Sequence, residues 1–162
     1  MPPRKRYWLM KSEPHKYSFE DLWKAKKKTT PWDGVRNYQA RNLLRDEIKV
    51  GDGVIFYHSR VNPPAAVATC KVVRDGYPDP TQFKPKEKYY DPKSSKENPR
   101  WFCVDVKLEK EFSTPVTLTE VKETEGLEEM MVIRKGARLS IQPVTADEWK
   151  IVTRLGRRKA KG

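Results

Sequence analysis

The apolar residues of this chain gather into short runs, and that limits the fold more than any other feature of the sequence. VIFYH (54–58), AAVATCKVV (65–73) and the stretch from Arg100 to Leu108 have strand length and β-branched or aromatic content. YWLMKSEP (7–14) reads as a further strand ending at a Pro, and ARLSIQPV (137–144) as an extended segment that stops at Pro143. Short helices and long loops separate these runs, so they do not form an alternating strand–helix–strand series. The expected class is α+β: a small, curved, mostly antiparallel sheet or partial barrel with short helices on its flank.

The helices announce themselves by their caps. Ser18 opens SFEDLWKAKK, with acids in the first turn, lysines in the last and Phe19, Leu22 and Trp23 apolar. Asn37 caps a second helix predicted to run to about Asp46, and Thr117 a third in TLTEVKE. Thr145-Ala-Asp-Glu148 is a capping box, followed by Trp149, Val152 and Leu155 at helical spacing and by Gly156 as a stop. Trp23 and Trp149 are assigned to the core by this spacing, and Trp8 and Trp101 by their place in strands. Residues 76–99 form a long loop rich in Pro, Lys, Tyr and Asp. Its Tyr77, Phe83, Tyr89 and Tyr90 argue that it docks on the body.

The formal net charge is +12, and setting aside the seven basic residues of the two ends leaves +5 for the body. The domain is therefore read as residues 7–156 between basic flexible tails, 1–6 and 157–162. Arg4, Lys5, Arg6, Arg157, Arg158 and Lys159 are the candidate phosphate contacts, able to raise affinity but not to read a base. Cys70 and Cys103 lie in apolar strand-like runs and are expected to be buried thiols. No apolar run approaches the length of a membrane span, and the basic N-terminus lacks a signal-peptide core. An intracellular protein is expected, cytoplasmic in a bacterium and nuclear in a eukaryote.

Catalytic signals are weak. The chain has two histidines and no CxxC, so a metal site has few ligands to draw on, and the phosphate-cradling glycine patterns are absent. His58 and Ser59 are neighbours on a strand and point apart. No catalytic residue, metal or cofactor is assigned.

A binding site is the better reading. WDGVRNYQARN (32–42) sets a Trp, a Tyr, two Arg and two Asn within a few residues of a flexible Gly34. Lys11-Ser12-Glu13, Tyr57-His58-Ser59 and the Arg138, Ser140, Gln142 segment are further polar or polar–aromatic clusters at the ends of strands. Aromatic faces for stacking and fixed polar groups for edge recognition are what a planar heterocycle requires. Trp32, between a Pro and Asp-Gly, has no periodicity that calls for burial and reads as a ligand wall. Several of the others have a structural alternative. Tyr38 serves equally in the core, Arg36 and Arg41 can pair with Asp33 and Asp46, and His58 can be a satisfied half-buried side chain. Glu13 and Gln142 can cap nearby backbone.

The segments YWLMKSEP, WDGVRNYQARN, VIFYHS, YPDPTQF, YYDP with NPRW, and RLSIQPV occur in this order in EVE-domain proteins, which the chain resembles over residues 7–155. The resemblance implies a PUA-like pseudo-barrel, related to the YTH and ASCH domains. It also implies binding of nucleic acid that carries a modified base, such as 5-methylcytosine or its oxidised forms, flipped or single-stranded, in an aromatic-walled pocket. By motif, Lys11, Ser12 and Glu13 would form the rim, and Trp32, Arg36, Asn37 and Tyr38 the wall and polar edge. Tyr57, His58 and Ser59 would face it from the strand, and Arg138, Ser140 and Gln142 would close it. DNA is the expected partner and a monomer the expected state. The alternatives are an RNA-binding PUA-like module, or a sensor or enzyme for a small heterocycle with Glu13 or His58 as proton carrier.

Overall fold

A computed structural model describes residues 5–136 and 138–158. Six strands form one mixed sheet in the order β2-β5-β4-β3-β1-β6. They are β1 (Tyr7–Ser12), β2 (Thr29–Pro31), β3 (Gly53–His58), β4 (Ala65–Pro78), β5 (Phe102–Thr117) and β6 (Ile141–Val144). Only β1 and β3 run parallel. The other neighbours are antiparallel, as the sequence suggested.

Alternation along the central strands builds two cores, one on each face. Trp8 and Met10 of β1 and Val54 and Phe56 of β3 enter the first, with Trp32, Leu44, Ile48 and Val106. Leu9, Ile55 and Tyr57 enter the second, with Phe112, Val116, Val121 and Val152. The second face is covered by α3 (Leu118–Glu123) and α4 (Ala146–Gly156), whose N-caps Thr117 and Thr145 accept from the backbone N–H groups of Glu120 and Glu148. The first face is closed by α1 (Phe19–Lys24), capped by Ser18, and by α2 (Tyr38–Asn42), capped by Asn37. A single π turn, Leu43–Glu47, follows α2, where the sequence predicted continuous helix. Leu44 before the end of this turn and Ile48 just after it are both fully buried.

Other differences have similar causes. β4 and β5 extend well beyond their apolar runs into polar segments, carried by pairing with each other. β6 passes through Pro143, which lies opposite Trp8 on an edge strand where the missing N–H has no partner to lose. Trp101 and Trp8 are buried as expected, but Trp23 is 47% exposed. Phe19 and Leu22 fill the buried side of α1, and the Trp23 ring lies outside it, 6.0 Å from Phe19. Trp149 is half-buried, its ring 4.6 Å from that of Tyr7. Cys70 and Cys103 are free and buried. Burial raises both thiols, Cys103 to about 12.

Two buried polar side chains hold the long loop. Asp79 is fully buried. It accepts from the Gly34 N–H (2.8 Å), Arg36 (3.1 Å) and both the N–H and hydroxyl of Thr81 (2.8 and 2.6 Å). Gln82 donates to the carbonyls of Asp79 and Trp101 and accepts from Ser94 and from the N–H groups of Arg100 and Trp101. The loop docks, as predicted, but polar groups fasten it as much as its aromatics do.

Candidate functional site

A cleft of about 1040 Å³ opens where the first core meets solvent. Tyr17, Trp32 and Val35 belong to that core or pack on it, and all three line the cleft. Nine of the residues singled out from sequence also line it. Lys11, Ser12 and Glu13 come from the end of β1, Ser59 from the end of β3, and Arg138 and Ser140 from the approach to β6. Trp32, Arg36 and Asn37 come from the segment between β2 and α2. The sheet brings these together directly. The Lys11 N–H donates to the Ser140 carbonyl (2.9 Å), and the Ser59 N–H to the Ser12 carbonyl (3.0 Å).

The Trp32 N–H donates to the Val104 carbonyl at 2.7 Å, continuing the β2–β5 pairing. The indole is only 8% exposed and meets Phe56 edge-on at 5.5 Å. Trp32 is thus both core and cleft wall, not the free-standing wall that its sequence setting suggested. Gly34 has φ +77°, and a Cβ there would come within 2.6 Å of the Tyr89 ring. The close approach that Gly34 permits is to this ring.

Arg36 spends its guanidinium on the fold. It donates to the Tyr89 carbonyl (2.6 and 3.2 Å), to Val35, to Asp79 and to Thr81. It lines the cleft as a clamp between the 32–37 segment and the long loop, pairing with Asp79 rather than with Asp33. Asn37 uses its amide oxygen to cap α2, which leaves the amide NH₂ free of that role. Glu13 receives Lys16 (2.8 Å) and Arg60 (2.9 Å) on its carboxylate. The Lys16 hydrogen bond, more than any other contact, holds its pKa below the usual range. The Ser12 hydroxyl donates to the Tyr17 carbonyl. Lys11 forms no ion pair among the described residues, and partial burial lowers its pKa.

Four of the sequence candidates lie elsewhere. Tyr38 stacks on Trp101 (4.9 Å) beneath Arg41, outside the cleft. Tyr57 follows the alternation into the second core, on the far face of the sheet, where burial raises its phenol to about 12. Gln142 sits opposite Leu9, buried, and donates to the Leu139 carbonyl. His58 accepts the Phe19 N–H (3.1 Å) at the start of α1, and burial lowers its pKa. The basic ends also stand apart. Arg6 pairs with Glu47 and lies over the Trp8 ring, and Lys5 lies over Tyr7, at the opposite end of β1 from the cleft. Arg158 is bound by Glu120 and donates to the Leu155 carbonyl, while Arg157, the C-cap of α4, is exposed. Arg4 and Lys159 lie outside the described residues.

Sequence reasoning missed Tyr17, Asp33 and Tyr89 as cleft residues. Tyr89 could have been found, as one of the embedded aromatics of the long loop. Asp33 has its surface open to the cleft, yet the surrounding walls remove enough water from the carboxylate to raise its pKa, and Asp79 adds repulsion. Five basic residues and two carboxylates line the space. The result is a positive slot with three aromatic rings, one incompletely solvated acceptor and several donors, suited to a flat, polar-edged ring attached to an anion. Among the described residues no group of three or more His, Cys, Asp or Glu is placed to hold a metal ion, and no helix is long and apolar enough to cross a membrane.

The EVE domain family model matches residues 6–155. Thymocyte nuclear protein 1 from Homo sapiens is 42% identical over 92% of this chain and 73% of its own length. The crystal structure of human THYN1 in complex with DNA containing 5-methylcytosine superposes with a TM-score of 0.88 at 40% identity, covering 96% of this chain and 99% of that one. A hypothetical protein from Leishmania major superposes at 0.87 with 44% identity, covering 94% and 95%. An ASCH protein from Zymomonas mobilis, 11% identical with a TM-score of 0.55 over 94% of this chain and 98% of that one, shares the fold alone. With its family model matched over residues 6–155 and thymocyte nuclear protein 1 from Homo sapiens 42% identical over 92% of its length, the chain belongs to the EVE domain family.

Proposed function

We propose that the cleft receives one modified cytosine of DNA, flipped or single-stranded, and that this chain is a modified-base reader. The observation that carries the reading is the joining of Tyr17, Trp32 and Tyr89 with the Asp33 carboxylate and the Asn37 amide in one positive cleft. The structure of a 40% identical relative with DNA containing 5-methylcytosine supports it. Asp33 is the natural acceptor for the exocyclic amine of cytosine. Asn37 can donate to the acceptors of the same edge, and Lys11 is available to a flanking phosphate.

Stacking one base contributes about 1–3 kcal/mol. Extruding it from a duplex costs about as much, a few kcal/mol. The aromatic walls therefore offset flipping, and net affinity comes from the backbone. The reading is one of binding without catalysis. Glu13 is held ionised by Lys16 and Arg60, and His58 is occupied by the Phe19 N–H, so neither candidate proton carrier is free. One chain supplies every wall, so no second copy is needed.

The test is fluorescence titration of Trp32→Phe with matched oligonucleotides, modified and plain, in DNA and in RNA. Trp32→Phe should reduce the preference for the modified base while the chain stays folded. Trp32→Ala is less useful, since removing a core Trp destabilises by about 3–5 kcal/mol. Equal preference in wild type and Trp32→Phe would refute the assignment. Tight, salt-independent binding of the free nucleoside would replace it with a small-molecule sensor.

A further inference from the structure

We propose that the turn formed by Lys24, Lys26, Lys27 and Lys28, with the exposed Trp23 beside it, is the surface that grips the nucleic-acid backbone flanking the base in the cleft. This rests on the base-binding reading above and names the phosphate contacts that it needs.

Of the basic end residues, Lys5, Arg6 and Arg158 do not meet that need. Lys5 and Arg6 lie at the start of β1, while Lys11 marks its cleft end, six residues or about 20 Å of strand away. Arg158 is taken up by Glu120.

The lysine turn is placed differently. It joins α1 to β2, between Tyr17 and Thr30, both of which line the cleft, and Lys28 is only two residues from Thr30. Four of its five residues are lysines, all exposed, and none pairs with a carboxylate among the described residues. The nearest acids in sequence are Glu20 and Asp21, and Asp21 is committed to the Ser18 cap. Lys27 and Lys28 both have positive φ, 55° and 51°, a conformation that side chains disfavour. The Thr29 hydroxyl, donating to the Lys27 carbonyl at 2.9 Å, helps to fix the turn.

Trp23 is the second observation. An indole 47% open to solvent, with the Lys28 ammonium 4.2 Å from its ring, offers a stacking face next to a cluster of unpaired cations. That combination suits a sugar–phosphate strand with its bases splayed, in which stacking and charge attraction alternate along the chain. The occupant is therefore the strand on either side of the captured base.

The experiment measures binding of a single-stranded oligonucleotide, with and without one 5-methylcytosine, over a range of salt concentrations. It compares the wild type, a triple variant (Lys24→Gln, Lys26→Gln, Lys27→Gln), Trp23→Ala, and a truncation after Arg158. All the altered side chains are exposed, so circular dichroism should report an unchanged fold. The triple variant should lose about two from the salt slope, at roughly 0.7 per single-strand phosphate contact. Its affinity should fall at least tenfold for both oligonucleotides alike, with the modified-to-plain ratio kept. Trp23→Ala should weaken both without altering the slope, and the truncation should have less effect than the triple variant. An unchanged slope in the triple variant overturns the proposal, as does a truncation that removes the whole salt dependence. Equal competition by polyglutamate also overturns it, because it would mark a surface for any acidic partner. If the wild type shows no preference for the modified base but the triple variant still loses slope, the backbone surface stands and the cleft reading falls.

Discussion

Replacing Asp79 should loosen the cleft although Asp79 does not itself line it, because it holds the lining residues Gly34 and Arg36 in place. Its carboxylate is fully buried and takes four donors, one of them charged. Asp79→Ala leaves the Gly34 and Thr81 N–H groups without an acceptor and the Arg36 guanidinium without a counter-charge. Breaking a buried ion pair by removing one partner costs about 3–5 kcal/mol. The Arg36 side chain is 22% exposed and keeps the Tyr89 and Val35 carbonyls, so the lower half of that range is expected. Asp79→Asn keeps an oxygen for Thr81 but turns an NH₂ toward Gly34 and Arg36, so about 2 kcal/mol is expected, as for an unsatisfied buried polar group. Thr81→Ala, the control, should cost about 1 kcal/mol. Urea unfolding followed by tryptophan fluorescence measures all three. Hydrogen exchange across residues 80–99 should show the loop opening first in Asp79→Ala, and oligonucleotide affinity should fall with it. A loss below about 1 kcal/mol in Asp79→Ala, with normal loop protection, would show that Asp79 does not fasten the wall.

Gly34→Ala forces a side chain into left-handed backbone and against the Tyr89 ring, so the melting temperature and base affinity should fall together; a variant that binds normally would separate Tyr89 from the site. Asp33 has a raised pKa, so affinity for cytosine oligonucleotides should fall with decreasing pH earlier than an ordinary carboxylate would allow, and Asp33→Asn should flatten the profile; identical profiles would remove Asp33 from base recognition. His58 is held neutral with a lowered pKa, so its contribution to stability is complete above its unfolded value and is lost as pH falls toward the folded one. The urea midpoint of the wild type should drop through that acidic window, while that of His58→Gln should change less, and equal slopes would show that His58 is not the coupled group.

Caps and short apolar runs were legible because they depend on neighbours in sequence. Ser18, Asn37, Thr117 and Thr145 each accept the N–H three residues on, a bond that forms within one turn whatever surrounds it. The cores of β1 and β3 follow from the same local rule of alternating faces. The outer halves of β4 and β5 were not legible, because residues such as Arg74 and Glu111 lie beyond the apolar runs and become strand by pairing with the apolar run of the other strand, Arg74 with Asp105 and Glu111 with Ala68. Tyr57 and Gln142 show the same limit at the site. Each lies two residues from a cleft residue, Ser59 or Ser140. Tyr57 and Gln142 are inside their strands, where pairing fixes Tyr57 in the second core and Gln142 opposite Leu9 of that core, while Ser59 and Ser140 lie just past the strand ends. Trp32 was recognised as a wall, but its depth in the core depends on Phe56, which is distant in sequence.

The chain's local chemistry was enough to fix the helix starts, the strand segments and the positions of the polar–aromatic clusters, since these need only hydrogen bonds and periodicities spanning a few residues. Which of those clusters share a cavity, that Arg36 serves the loop, and that Trp23 faces water were decided by contacts between segments far apart in the chain. Such contacts depend on sheet order, strand register and the docking of residues 76–99, and these arise only when the whole chain packs.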